Sequence, residues 1–493
     1  MRRGERGDER GESELLPDMI EAQRPNDRAR SGAQLALTIV AILLAVSAVV
    51  LVKLGIGGSG GSKLFLFGAL FVIGYLAGHI AIRRLAPGAE PAFFPAAGLL
   101  TGIGFAEIYR MTPGLAIDQS WWLVIALVAF ICTLYFIRDH RQLDGYTYTI
   151  GLVAVILLLL PIVPGIGATI NGANVWISLG PFSFQPAEIG KILLAIFLAS
   201  YLNTKKELLQ MAPRRLGPFH LPQAKDLGPV LLAWLVALAV LFFENDLGQA
   251  LLYFGLFIIM LWVSTARPVY LLVGLVLFAG GALFAYKTVS HVEERVAVWL
   301  HATSSKPCLP GDTIECVHGG GFQLAQAEFA MATGGIGGTG LGQGSPQDIP
   351  FASTDFIFAA IGEELGMIGA VGVLLLFGVL VGKGLKVAVE TQDGFGKLLA
   401  TGLTAILGVQ AFIIVGGVMR VIPLTGVTLP FVSYGGSSLL ANYILLALLV
   451  RISAGPAPKR RRPLLGSPAA EPPVEPRPEG PDPDDAPQTQ VIR

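Results

Sequence analysis

Charge is scarce in this chain. Only 14% of its 493 residues are Asp, Glu, Lys or Arg, against about 25% in an average soluble domain. A soluble protein of this length divides into two or three domains with charged surfaces, and the charge to cover them is missing. Net charge is absent too, because 35 Lys and Arg offset 35 Asp and Glu. These shortages exclude a soluble enzyme, a nucleic-acid binder and a wholly disordered protein. The six histidines show no HExxH or other metal spacing, and no GxSxG nucleophile elbow occurs. Gly335–Gly340 spells GxGxxG, but no strand precedes it and no βαβ unit surrounds it, so it is not a dinucleotide site. Gly57–Lys63 lacks the Ser/Thr that follows a phosphate-loop Lys and reads as a flexible hairpin.

What the chain has is apolar length. Apolar residues make up 53% of it, and the mean hydropathy is +0.64. About 28 of the 70 charges fall in the first ~32 and last ~43 residues. The interior reads as an all-α polytopic integral membrane protein, because a bilayer core needs about 20 apolar residues per helix. Twelve spans are expected, at about 33–54, 64–82, 92–109, 120–137, 146–164, 187–203, 227–243, 246–265, 269–288, 355–382, 397–418 and 437–452. Strands are not expected, since the apolar runs are too long and do not alternate. The first residues are too polar for a signal peptide, and the first apolar run is long enough to remain as an anchor. A cytoplasmic N-terminus places about 13 basic loop residues inside against about 7 outside. Both termini are then cytoplasmic. Residues 1–32 and the Pro-rich 453–493 are expected to be disordered tails.

Two outer segments stand out, at about 165–186 and about 289–354, since loops beyond ~15 residues are commonly functional. The second holds Cys308 and Cys316, a disulfide pair on an oxidising face or else two free thiols. Cys132 lies within a span and is expected to pack inertly. Ionisable residues inside spans point to function. Glu188 and Lys191 share one helix face three residues apart, and Glu363 and Glu364 follow Asp355 in one apolar run. Each set suits either an intrabundle ion pair or a polar cavity for an ionic ligand. Pro423 to Ser438 is too broken by Pro and Gly to be a plain span, and irregular backbone at membrane depth survives where it is buried or lines a cavity.

Four segments carry a resemblance: Trp176-Ile-Ser-Leu-Gly-Pro-Phe-Ser-Phe-Gln-Pro-Ala-Glu-Ile-Gly-Lys191, Asn245-Asp-Leu-Gly-Gln-Ala-Leu-Leu252, Ser353-Thr-Asp-Phe-Ile-Phe-Ala-Ala-Ile-Gly-Glu-Glu-Leu-Gly366, and Pro423 to Asn442. In type, order and spacing they resemble the SEDS family, the RodA/FtsW proteins of bacterial cell-wall synthesis, over about 92–452. The family core has ten spans, so 33–91 is similar to the two extra N-terminal helices of actinobacterial-type RodA. The resemblance implies a multi-pass protein of the bacterial plasma membrane that polymerises lipid II into glycan strands, in elongation or division, with a class B penicillin-binding protein as transpeptidase partner. It also implies a catalytic Asp in the large outer loop. The flanks of that stretch are present as Arg295-Val296-Ala-Val-Trp299-Leu300 and Gly321-Phe322-Gln323. The family's Asp-Pro pairs are not, and Ser305 stands near the place of the catalytic Asp.

Asp312 is the one Asp between the flanks, so it is the candidate general base, with Glu315 in reserve. A base near the acceptor hydroxyl takes its proton as it attacks. The diphosphate leaving group calls for cations, from Arg295 and Lys306 or from a divalent ion such as Mg or Mn. Trp176 matches the Trp of the family's Gly-Ala-Arg-Arg-Trp motif, although Asn174 and Val175 precede it here. Substrate contacts are expected from Trp176, Glu188, Lys191, Arg295, Lys306, Glu363, Glu364, Ser433 and Ser437. Two other readings stay open: a flippase for lipid II or another polyisoprenyl-linked sugar, and a catalytically altered paralogue serving as a scaffold.

Overall fold

Long apolar helices dominate the computed structural model. It describes residues 9–57, 61–163, 165–170, 173–179, 182–210, 214–216, 219–221, 235–236, 239–240, 242–301 and 320–455. Among them are α1 (Glu9–Ile56), α2 (Gly61–Leu85), α3 (Phe93–Met111), α4 (Pro113–Phe136), α5 (Thr147–Leu159) and α6 (Pro186–Gln210). After these come α7 (Leu247–Thr265), α8 (Pro268–Thr288), α9 (Ser290–His301) and α10 (Gly320–Gly334). The last four are α11 (Ile357–Glu364), α12 (Gly366–Glu390), α13 (Gly394–Val418) and α14 (Gly436–Ser453).

Ten helical segments of the described residues are long and apolar enough to cross a bilayer. α3 is 19 residues long but less apolar and stands outside that ten. The expected span 227–243 falls largely outside the described residues. α13 and α14 are the most enclosed helices, while α5, α8 and α12 leave most of their surface to the bilayer. The extra pair α1–α2 lies against the core. Tyr75 of α2 and Tyr443 of α14 share a buried hydroxyl–hydroxyl hydrogen bond, and Thr101 of α3 joins it at 3.0 Å.

Four expectations need correction. The tail 1–32 is helical from Glu9 onward, continuous with the first span; its Glu, Arg, Ala and Leu are strong helix formers. The segment 165–186 is not plain loop. It forms a three-stranded antiparallel sheet, β1 (Gly167–Ile170), β2 (Ala173–Leu179) and β3 (Phe182–Phe184). Short strands outside the membrane pair their own backbone groups, which long apolar runs do not reveal. The expected span 355–382 is two helices, α11 and α12, broken at Gly366. Gly366 has φ +67°, and a Cβ there would lie 2.3 Å from Gly338 N, so only glycine fits the bend. Cys132 is exposed on α4 rather than packed inside.

Candidate functional site

The first turn of α7, the middle of α9 and the residues just before α11 bring charge together. Asp246 caps α7 by accepting from Gln249 N at 2.9 Å, a role suited to a short carboxylate at a helix start. Arg295, on α9, donates to Leu424 O at 2.7 Å. Its guanidinium acts electrostatically on both Asp246 and Asp355. Gly426, at φ +75°, leaves space beside them: a Cβ there would stand 3.6 Å from both Arg295 Nη atoms and from Asp355 Oδ2. Loss of solvent pushes both carboxyls up to about 6, although Arg295 pulls each down.

Around the start of α7 sit buried polar groups without hydrogen-bond partners among the described residues. Glu244 is fully buried, and neither of its carboxylate oxygens is hydrogen-bonded within the described residues. Burial, with Asp246 nearby, pushes it up to about 8. Both amide atoms of buried Gln249 and the hydroxyl of Thr425 are likewise unpartnered among the described residues. Thr425 packs on the first turn of α7, where a Cβ on Gly248 would lie 3.3 Å from its Oγ1. Buried polar groups normally find partners, so this concentration at one helix end is the candidate place for a polar ligand or water.

The broken segment after α13 is held by hydroxyls. Ser433 Oγ donates to Thr354 O at 2.6 Å and accepts from Leu429 N at 2.9 Å. Ser437 Oγ accepts from Gln185 N at 3.1 Å, and Thr428 donates to Ser438 Oγ at 2.8 Å. Gln410 of α13 donates to Thr428 O at 2.8 Å. Irregular backbone is thus satisfied by its own neighbourhood, as membrane depth requires. These bonds tie Thr354, next to Asp355, and Gln185, at the start of α6, to the 428–438 segment.

Glu188 and Lys191 of α6 lie deeper. Lys191 Nζ is 2.5 Å from Glu188 Oε2 and donates to Gln410 Oε1 at 2.8 Å, with both charged side chains sealed from solvent. Their geometry is that of an intrabundle ion pair joining α6 to α13. Glu363 and Glu364 face a different structure, the glycine-rich turn after α10. Glu364 pairs with Arg110 of α3 at 3.1 Å and accepts from Gly342 N at 2.8 Å; Glu363 accepts from Ser345 N at 2.8 Å. Trp176 is half-buried on β2, opposite Ala168 of β1.

Of the expected site residues, Arg295 lies beside Asp355, Ser433 bonds Thr354 next to Asp355, and Ser437 bonds Gln185 at the start of α6, the helix of Glu188 and Lys191. Asp312, Glu315, Lys306, Cys308 and Cys316 lie outside the described residues. Among the described residues no group of three His, Cys, Asp or Glu side chains is placed to hold a metal ion. The expected substrate contacts do not include Asp246, Asp355 or Glu244. Asp246 and Glu244 mark a turn and Asp355 a helix start, and nothing local pairs them with Arg295.

Known proteins share this architecture. The profile of the FtsW/RodA/SpoVE family, described as cell cycle protein, matches residues 102–456. The chain belongs to that family. Peptidoglycan glycosyltransferase RodA of Mycobacterium tuberculosis is 42% identical over 457 residues, covering 90% of this chain and 94% of the relative. A chain of a peptidoglycan synthase complex superposes with TM-score 0.59 at 27% identity, covering 74% of this chain and 97% of its own. The rod shape determining protein RodA of Thermus thermophilus gives TM-score 0.51 at 26% identity, covering 74% of this chain and 96% of its own. This family member is a multi-pass protein of the bacterial membrane, as its apolar helices require.

Proposed function

We propose that the chain polymerises lipid II on the outer face of the membrane, with Asp312 as general base. The chain is a peptidoglycan glycosyltransferase, and the observation that carries this is its 42% identity to mycobacterial relatives of that name over 94% of their length. Those relatives are named RodA, which favours a role in elongation over division.

In the proposed reaction the 4-hydroxyl of the acceptor sugar attacks the anomeric carbon of the lipid-linked donor. The new glycosidic bond forms as the bond to the diphosphate breaks, and undecaprenyl diphosphate departs. Asp312 takes the hydroxyl proton, with Glu315 as the reserve base. Arg295 and Lys306, near Asp312 in sequence, are the cations for the leaving group. Mg2+ or Mn2+ is the ionic alternative, and polymerisation after EDTA treatment separates the two. Arg295 bonds Leu424 O and feels the charge of Asp246 and Asp355, and its place on the helix that enters the Asp312 stretch supports that reading. A class B penicillin-binding protein is the proposed partner; the structurally similar synthase complex joins polymerization to crosslinking.

Purified chain, with a cognate class B partner, given lipid II in detergent tests the reading. Detergent leaves no bilayer to flip across, so glycan strands require polymerisation. Strands are expected. Their absence under every partner and cation condition overturns the enzyme reading, and a flippase is then tested by probe accessibility in liposomes.

A further inference from the structure

The segment 302–319, which contains Asp312 and Glu315, is entered from α9 and left through α10. One residue touches both helices. Arg420, just beyond α13, pairs through Nη1 with Glu328 of α10 at 2.9 Å. Its Nε and Nη2 donate to Trp299 O on α9 at 3.3 and 3.0 Å. Trp299 Nε1 donates back to Arg420 O at 2.9 Å. One helical turn earlier, Arg295 donates to Leu424 O. Residues four apart share a helix face, so α9 is fastened by one face to the 420–424 segment.

Two further observations set Arg420 apart. Its backbone is left-handed, φ +57°, which costs a residue with a Cβ roughly 1–2 kcal/mol; the surrounding bonds hold it there. It also uses its guanidinium as a fork, with one arm on a carboxylate and the other on a carbonyl. The planar Arg group does this and the Lys ammonium does not.

We propose that Arg420 is a positioning residue for the glycosyl transfer, a latch that ties the helix entering the Asp312 stretch to the helix leaving it. This rests on the reading of that stretch as the one that supplies the base. Arg420 does not touch the reacting atoms. It acts by fixing Trp299 and Glu328, and a misplacement of about 1 Å at a reacting group costs on the order of 100-fold in rate.

The test measures lipid II polymerisation together with hydrogen exchange of α9 amides. Arg420→Ala is expected to lower kcat about 10- to 100-fold with KM changed less than about twofold. Exchange across Glu293–Trp299 should rise at least about tenfold as the tie opens. Arg420→Lys keeps the Glu328 pair but loses the fork, so its kcat should fall between wild type and Arg420→Ala; it also serves if Arg420→Ala does not fold. Asp312→Ala should abolish strands and leave α9 exchange at the wild-type rate. Wild-type kcat in Arg420→Ala overturns the proposal, as does a loss confined to KM. Unchanged α9 exchange overturns it whatever the activity. A wild-type chain that makes no strands overturns the polymerase reading instead, and the exchange data then decide the latch alone.

Discussion

Lys191 Nζ sits 2.5 Å from Glu188 Oε2 inside the bundle, and Gln410 of a second helix completes the ammonium's contacts at 2.8 Å. Replacing one partner leaves a buried charge without compensation. Lys191→Met is expected to destabilise the protein by about 3–5 kcal/mol, and Glu188→Gln in the same chain should restore part of that loss. Thermal unfolding in detergent measures both.

The raised carboxyls around Arg295 make activity and stability depend on pH in opposite directions. Asp246 and Asp355 both reach about 6, burial being the chief cause. Ionised, they attract the Arg295 guanidinium; protonated, they lose that attraction and leave Arg295 its bond to Leu424 O. Polymerisation should therefore fall as pH drops below about 6, and Asp355→Asn should flatten that limb while lowering the plateau.

Stability runs the other way. A carboxyl whose folded value lies above its unfolded value binds its proton more tightly when folded. Its contribution is complete below the unfolded value and is lost as pH rises through about 6. Wild-type melting temperature should thus decline more between about pH 4 and pH 7 than that of Asp355→Asn. An equal decline would remove Asp355 as a source of the linkage.

Ser433 ties the broken segment to Thr354 and Leu429 through one hydroxyl, at 2.6 and 2.9 Å. Ser433→Ala leaves a buried amide and a carbonyl short of a partner, with an expected cost of about 1–3 kcal/mol. Asp355, next to Thr354, should shift with it, so kcat should fall more than unfolding alone explains. A circular-dichroism melt beside single-turnover polymerisation separates the two effects.

At Gly366 the chain bends with φ +67° between α11 and α12, and added bulk would meet Gly338 N at 2.3 Å. Gly366→Ala should destabilise by more than the roughly 1–2 kcal/mol of left-handed backbone alone, because the facing atoms are backbone. Protein yield and melting temperature report it.

Much of this architecture was readable in the residues. Apolar length marks helices such as α4, α8 and α13 without any tertiary knowledge, and three-residue spacing anticipates the Glu188–Lys191 pair. The break at Gly366 was hidden because apolar residues flank the short Glu363-Glu364 interruption on both sides, so averaged hydropathy sees one run. The sheet at β1–β3 was hidden because its strands are short. Asp246, Asp355 and Arg295 come from three distant segments, and only the packing of α7, α9 and α11 brings them together. The four ties made by Arg420 and Trp299 are likewise tertiary facts, with no local signal in the Arg-Val-Ile-Pro sequence.

Comparing Asp312→Ala, Glu315→Ala and wild type on lipid II in detergent asks whether a carboxylate of segment 302–319 drives glycosyl transfer. Strands are expected from wild type and Glu315→Ala and none above background from Asp312→Ala, with all three equally folded. Strands from Asp312→Ala at the wild-type rate would contradict it.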